Sequence, residues 1–215
     1  MTGIARPAGR ADTARRMGPA GTGSSDASDE ALMTAYAGGD AGAFERLYAR
    51  HKGPTYRYFL RHTSDRTAAD ELHQDVWLGV VRARDRYAAR ARFTTWLYAL
   101  ARNRLIDHWR ARRGARFTSL DDAGDDDNPE PSVDGDPPAG APDPLSEVIG
   151  MQAGQRLQLA LADLPAAQRD AFLLHLEAGL SIAEIATLCT VPVETIKSRL
   201  RYAYRRLRAA LEDLQ

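Results

Sequence analysis

The chain has 215 residues, 44% of them hydrophobic, so it can hold one large domain or two small ones around a packed core. Its 29 basic and 29 acidic residues cancel, which by average charge disfavours a nucleic-acid binder, but the two signs are sorted into blocks along the chain. Cys189 is the single cysteine, so an internal disulfide is excluded; with no apolar run near the ~20 residues of a membrane span and no apolar stretch after Arg6, Arg10, Arg15 and Arg16, a cytoplasmic protein is expected.

Residues 1–27 are rich in Gly, Ala, Ser and Thr and nearly lack large apolar side chains. A disordered tail is the expectation, and Met17 offers a second start. From Ser28 the apolar period is helical. Ser28 reads as an N-cap followed by Asp29 and Glu30, with Leu32, Ala35 and Tyr36 on one face. Gly38-Gly39 stops that helix, and Asp40 caps the next. The second helix carries Phe44, Leu47, Tyr48 and His51, and Gly53-Pro54 is expected to interrupt or kink it. Thr67 with Asp70 resembles a capping box for a third helix through Leu72, Val76, Trp77, Val80 and Val81. A fourth runs from about Thr94 to Arg112, with Leu97, Ala101, Leu105 and His108 or Trp109 inward.

Residues 117–144 change character. Between Ser119 and Leu145 there are six prolines, many aspartates and no Lys or Arg, which predicts an extended, flexible acidic linker between two independently folding helical domains. Beyond it Leu145, Val148, Ile149, Ala153, Leu157, Leu161 and Leu164 form a helical stripe. Pro165 begins a helix with Phe172 and Leu176 that Gly179 ends. Ser181 and Glu184 are spaced as the capping box of a short helix, Ile182 to Cys189. The turn Thr190-Val191 leads to Pro192, placed at the first position of a last helix reaching about Leu211.

A short helix, a tight turn and a basic second helix make a helix-turn-helix pattern. Val193, Ile196, Leu200, Ala203 and Leu207 fall on its inner side, while Thr195, Lys197, Ser198, Arg199, Arg201, Tyr202 and Arg205 fall elsewhere. Between Ile196 and Arg208 there are six basic residues and no acidic one. Like charges at helical spacing repel, so a duplex explains them better than a solvated surface does. Residues 82–116 hold eleven arginines against Asp85 and Asp107, interleaved with Tyr87, Phe93, Trp96, Tyr98 and Trp109. Arginine with aromatics suits unpaired bases, although Trp96 and Trp109 serve equally well as core. Residues 68–81, with Asp70, Glu71 and Asp75, read alone as an ordinary amphipathic helix.

Taken together, AADELHQDVWLGVV, FTTWLYALARNRLIDHWRARR and LPAAQRDAFLLHLEAGLSIAEIATLCTVPVETIKSRLRYAYRRLR resemble the ordered segments of extracytoplasmic-function (ECF) sigma factors of the sigma-70 family, from about Ser28 to Leu211. The resemblance implies an all-α chain: a tail at 1–27, a helical-bundle region 2 at 28–116, the linker at 117–144 and a helix-turn-helix region 4 at 145–215. It implies that Asp70, Glu71, Leu72, Gln74, Asp75 and Trp77 dock on the β′ clamp helices of core RNA polymerase. Arg90, Arg92, Phe93, Thr94, Trp96, Arg102, Asn103 and Arg104 would read and open the minus-ten element, with a flipped base held by the loop before Phe93. Thr195, Lys197, Ser198, Arg199, Arg201, Tyr202 and Arg205 would read the minus-thirty-five element, and the earlier helices of the second domain would meet the β flap. An anti-sigma factor is an implied partner and a stable homo-oligomer is not. Glu194 departs from the family, where glycine is common at that position.

The alternative is another two-domain helix-turn-helix regulator without initiation activity, which leaves the arginine–aromatic block unexplained. An enzyme is not expected. The five histidines form no H-E-x-x-H pair, no glycine-rich phosphate loop is present, and Asp125–Asp127 lack calcium-loop spacing; no cofactor or metal is implied.

Overall fold

In the first helix, α1 (Asp29–Ala37), the Ser28 hydroxyl accepts from the Ala31 N–H at 3.2 Å. This is a computed structural model, and it describes residues 27–89, 91–113 and 154–211. Residues 1–26 of the N-terminal tail, the acidic linker, Arg90 and the stripe residues Leu145 to Ala153 lie outside the described residues. Gly39, at φ 101°, turns the chain into α2 (Ala41–Thr63), capped by Asp40. α2 is continuous through Pro54, so of the two expectations, interruption or kink, the interruption does not occur. In that turn the buried Thr55 hydroxyl donates to the His51 carbonyl at 2.6 Å.

Ser64 ends α2 in the left-handed region at φ 54°. The next helix, α3 (Arg66–Ala83), is capped by Asp65, whose carboxylate accepts from the Thr67 and Ala68 N–H groups. The expected Thr67–Asp70 box is therefore displaced by a stronger cap two residues earlier. A single 3-10 turn (Arg84–Arg86) precedes α4 (Phe93–Arg113). The Phe93 N–H at its start donates 2.7 Å to Oε1 of Glu30, a carboxylate delivered from α1. That bond is the leading cause holding the Glu30 carboxyl below its ordinary range. Glu30→Ala is expected to weaken the α4 cap by about 0.5–2 kcal/mol, read as a lower denaturation midpoint; an unchanged midpoint would show that water replaces the carboxylate.

After a helix over 154–162 (α5) come α6 (Ala166–Leu176), α7 (Ile182–Cys189) and α8 (Val193–Leu211). All the helices among the described residues feed one continuous apolar cluster. Leu32, Met33, Leu47, Phe59, Val80, Phe93, Leu97 and Leu105 fill the first block, and Leu161, Leu173, Leu180, Ile185, Ile196 and Ala203 the second. Pro192 stands just outside α8, its carbonyl accepting from Thr195 and Ile196, one residue from its expected place. Val193, expected inward, is 41% exposed, and Leu176 is also exposed.

The two blocks are docked on each other, α6 against α2 and α7 against α4. At the centre is Asp170 of α6, 2% exposed. Its Oδ1 accepts from the Tyr58 hydroxyl at 2.8 Å and its Oδ2 from Arg102 Nε at 2.8 Å. His62 Nε2 lies 3.5 Å from Oδ1. A buried carboxylate is tolerated only when paired and hydrogen-bonded, and this one is both. Burial by itself raises an acid's pKa, but the His62 contact and the Arg102 charge outweigh it and hold Asp170 at about 2. Burial pushes the Tyr58 hydroxyl well above its ordinary value and holds His62 below its own, so Arg102 is the charge that balances Asp170.

Candidate nucleic-acid interface

The helix-turn-helix is built by local signals. Ser181 and Glu184 make the full capping box: the Glu184 N–H donates to Ser181 Oγ at 3.3 Å and the Ser181 N–H to Glu184 Oε2 at 2.9 Å. These bonds, led by that from the Ser181 backbone, hold the Glu184 carboxyl down at about 2. Thr190 closes α7 in the left-handed region, at φ 61°. α8 then packs by Ile196, Leu200, Ala203 and Leu207.

The opposite face of α8 presents Lys197, Arg201 and Arg205 to solvent, with Thr195, Ser198 and Tyr202 half-buried between them. The guanidinium carbons of Arg201 and Arg205 lie 5.3 and 4.9 Å from the Tyr202 ring centre, a stack that spaces two cations on one aromatic plate. Lys197 Nζ is 2.8 Å from Glu194 Oε1, so the departing Glu194 partners the lysine. Arg199 is not on this face: it is 6% exposed, three residues after Ile196 and four before Ala203, hence on the packed stripe.

On α4 the expected residues divide in the same way. Asn103 and Arg104 are exposed, and Arg92 is exposed just before the helix. Thr94 and Trp96 are half-buried. Phe93 is fully buried, its ring 5.3 Å from His51 and 5.7 Å from Trp96, centre to centre, so it serves the core in this structure. Arg102 is 9% exposed and spent on Asp170, whose charge outweighs burial and raises the guanidinium pKa. On α3 Asp70, Glu71, Gln74 and Asp75 face solvent, whereas Leu72 and Trp77 are buried. Beside them Phe44, Tyr48, His73, Trp77, Leu78 and Val81 line an apolar groove.

Sequence reasoning missed three acidic residues of the second block, Asp170, Glu177 and Glu184, as partners of the first. Glu177 pairs with Arg57 at 2.9 Å and with Arg61, and its backbone carbonyl accepts from the Tyr98 hydroxyl at 3.2 Å. Glu184 accepts from the Thr95 hydroxyl at 2.9 Å and pairs with Arg92 at 3.3 Å. The three stand seven residues apart along the chain, a spacing that was visible without its meaning. No group of metal-ligating side chains occurs among the described residues, and no helix among them is long and apolar enough to cross a membrane.

Residues 47–115 match the family model for sigma-70 region 2, and residues 154–207 match that for sigma-70 region 4. The chain is 35% identical over 191 residues to the ECF RNA polymerase sigma factor SigC of Mycobacterium tuberculosis, covering 89% of this chain and 95% of the relative. It is 26% identical over 179 residues to SigW of Bacillus subtilis, covering 82% and 92% of the two chains. Among solved structures, CnrH in complex with the cytosolic domain of CnrY shares the fold, at a TM-score of 0.58 and 23% identity over 86% of this chain and 97% of that one. The sigma factor RpoE in complex with the anti-sigma factor NepR from Bartonella quintana does so at a TM-score of 0.57 and 24% identity, covering 79% and 96%. With both region models in order and a relative of that identity along almost its whole length, the chain belongs to the ECF sigma factors of the sigma-70 family, which direct RNA polymerase to promoters.

Proposed function

We propose that the first block, 28–116, works as region 2 and the second, 145–215, as region 4, with the acidic segment 117–144 linking them. α8 reads the upstream, minus-thirty-five duplex through Lys197, Arg201 and Arg205, with Thr195, Ser198 and Tyr202 at the same face. The observation that carries this is the solvent face of α8, basic from Lys197 to Arg208 beyond the Glu194 that partners Lys197, set opposite an apolar stripe and held by a helix-turn-helix. Asn103, Arg104 and Arg92 meet the minus-ten element; Arg102 joins them only when Asp170 releases it. The exposed Asp70, Glu71, Gln74 and Asp75 contact the β′ clamp helices, and the second block contacts the β flap. The working form is a cytoplasmic complex with core polymerase, without a homo-oligomer. An anti-sigma partner fits, since a solved RpoE of this fold is held by one.

Lys197→Ala or Arg201→Ala is expected to weaken binding of the upstream duplex. A phosphate contact would cost affinity equally across sequences and lower the salt slope by about one unit. A base contact would cost about 1–3 kcal/mol at one promoter position. Asn103→Ala is expected to spare that binding and impair melting, with a pre-melted bubble restoring initiation. Permanganate footprinting of each mutant holoenzyme, on closed and bubble templates, checks both. Normal opening by the Asn103 variant would remove α4 from the melting step.

A further inference from the structure

We infer, resting on the assignment of α8 to the upstream duplex, that Glu194 and Lys197 together read one C·G base pair, the carboxylate on the cytosine and the ammonium on its guanine. Arg201 and Arg205 follow Glu194 by about two and about three turns of helix, so the acid stands in line with both arginines. Ile196, Leu200, Ala203 and Leu207 occupy the other side. The Glu194 side chain is 79% exposed and that of Lys197 53%. Both stand in the first turns of α8, and in a helix-turn-helix those turns of the second helix reach the base edges.

An acid on a face that meets phosphate is unfavourable unless it finds a donor. In the major groove the donors are the amino groups of cytosine and adenine. Lys197 decides between them. Within a C·G pair the cytosine N4 amino group donates to guanine O6, which holds the two atoms about 2.9 Å apart. The Lys197 ammonium donates to Glu194 Oε1 at 2.8 Å, so acceptor and donor on α8 meet donor and acceptor on the base pair at the same spacing. The guanine edge adds N7 as a second acceptor for the ammonium, whereas thymine has O4 alone with a methyl group beside it. Being formed before DNA arrives, the pair is preset for this edge. As an ion pair exposed to water it contributes little to stability. The acid also suits the positive end of the α8 dipole, but that benefit does not depend on the side it faces, and Glu194 faces the side of Arg201 and Arg205.

The test is selection by holoenzyme, the full chain with core polymerase, from a duplex library randomised over the upstream element and carrying a pre-melted bubble downstream. Wild type is expected to enrich C·G at one upstream position about tenfold over the other base pairs. Glu194→Gln should turn that position, and no other, to A·T, because glutamine pairs bidentately with adenine N6 and N7. Glu194→Gly should leave the position without preference, and Lys197→Ala should relax it. The exposure of both side chains keeps these substitutions off the core. An acid that served only the helix would change affinity for all sequences alike. A wild-type preference for A·T at the position that Glu194→Gln alters overturns the inference. If Glu194→Gln leaves the enriched sequence unchanged while Arg201→Ala alters it or lowers affinity, the base-pair assignment falls and α8 remains the upstream reader. If wild type enriches no upstream sequence and Arg201→Ala has no effect, α8 is not the upstream reader and both fall.

Discussion

Arg102→Ala is expected to weaken the docking of region 4 on region 2 by about 3–5 kcal/mol, because it strands the Asp170 carboxylate among apolar walls. Arg102 Nε is the charged donor to Asp170 Oδ2, at 2.8 Å; the Tyr58 hydroxyl is neutral, and burial keeps His62 from taking up the charge. Asp170→Asn removes the other end of the same pair and costs less in the closed form, since it leaves no anion behind. Both variants open the chain, Arg102→Ala the further, and they differ on DNA. Asp170→Asn frees Arg102 for the promoter, whereas Arg102→Ala opens the chain without gaining that contact. Energy transfer between dyes at the exposed positions Thr67 and Ala209 should fall in each single variant. The double variant should fall little further, the mark of a coupled pair. Additive effects would show that Arg102 and Asp170 act through separate partners.

The features legible in the sequence are those decided within a few residues. The Ser28 and Asp40 caps, the Ser181–Glu184 box and the apolar stripe of α8 each rest on groups three or four positions apart. The docking could not be read this way. Tyr58 and Asp170 are 112 residues apart, and nothing in either neighbourhood marks one as the other's partner. Residue type also misled where position decides. Charge places Arg199, and the family resemblance Arg102, among the DNA-facing arginines, yet both lie on packed stripes, Arg102 between Tyr98 and Leu105 and Arg199 between Ile196 and Ala203. Spacing held that information, and weighing it above charge would have set the two apart. The linker's composition bears on whether the two blocks fold independently, not on whether they dock once folded.

Phe93→Ala is expected to act on stability before it acts on melting. The ring is 0% exposed, set between His51, Tyr87 and Trp96, and its backbone N–H is the group that Glu30 caps. Truncating a buried phenylalanine costs about 3–5 kcal/mol, a large share of what a domain of this size has. The defect in promoter opening should then track unfolding of region 2, and a pre-melted bubble should not repair it. Phe93→Leu keeps an apolar side chain of adequate volume and should cost under about 1.5 kcal/mol, recovering most of the activity. Asn103→Ala provides the contrast, because its exposed side chain bears on nucleic acid and not on the core. Urea denaturation of each free protein, set beside permanganate reactivity of each holoenzyme on closed and bubble templates, separates the two. A Phe93→Ala protein with wild-type stability and a bubble-repaired defect would return this ring to the melting site and require region 2 to rearrange around it when DNA binds.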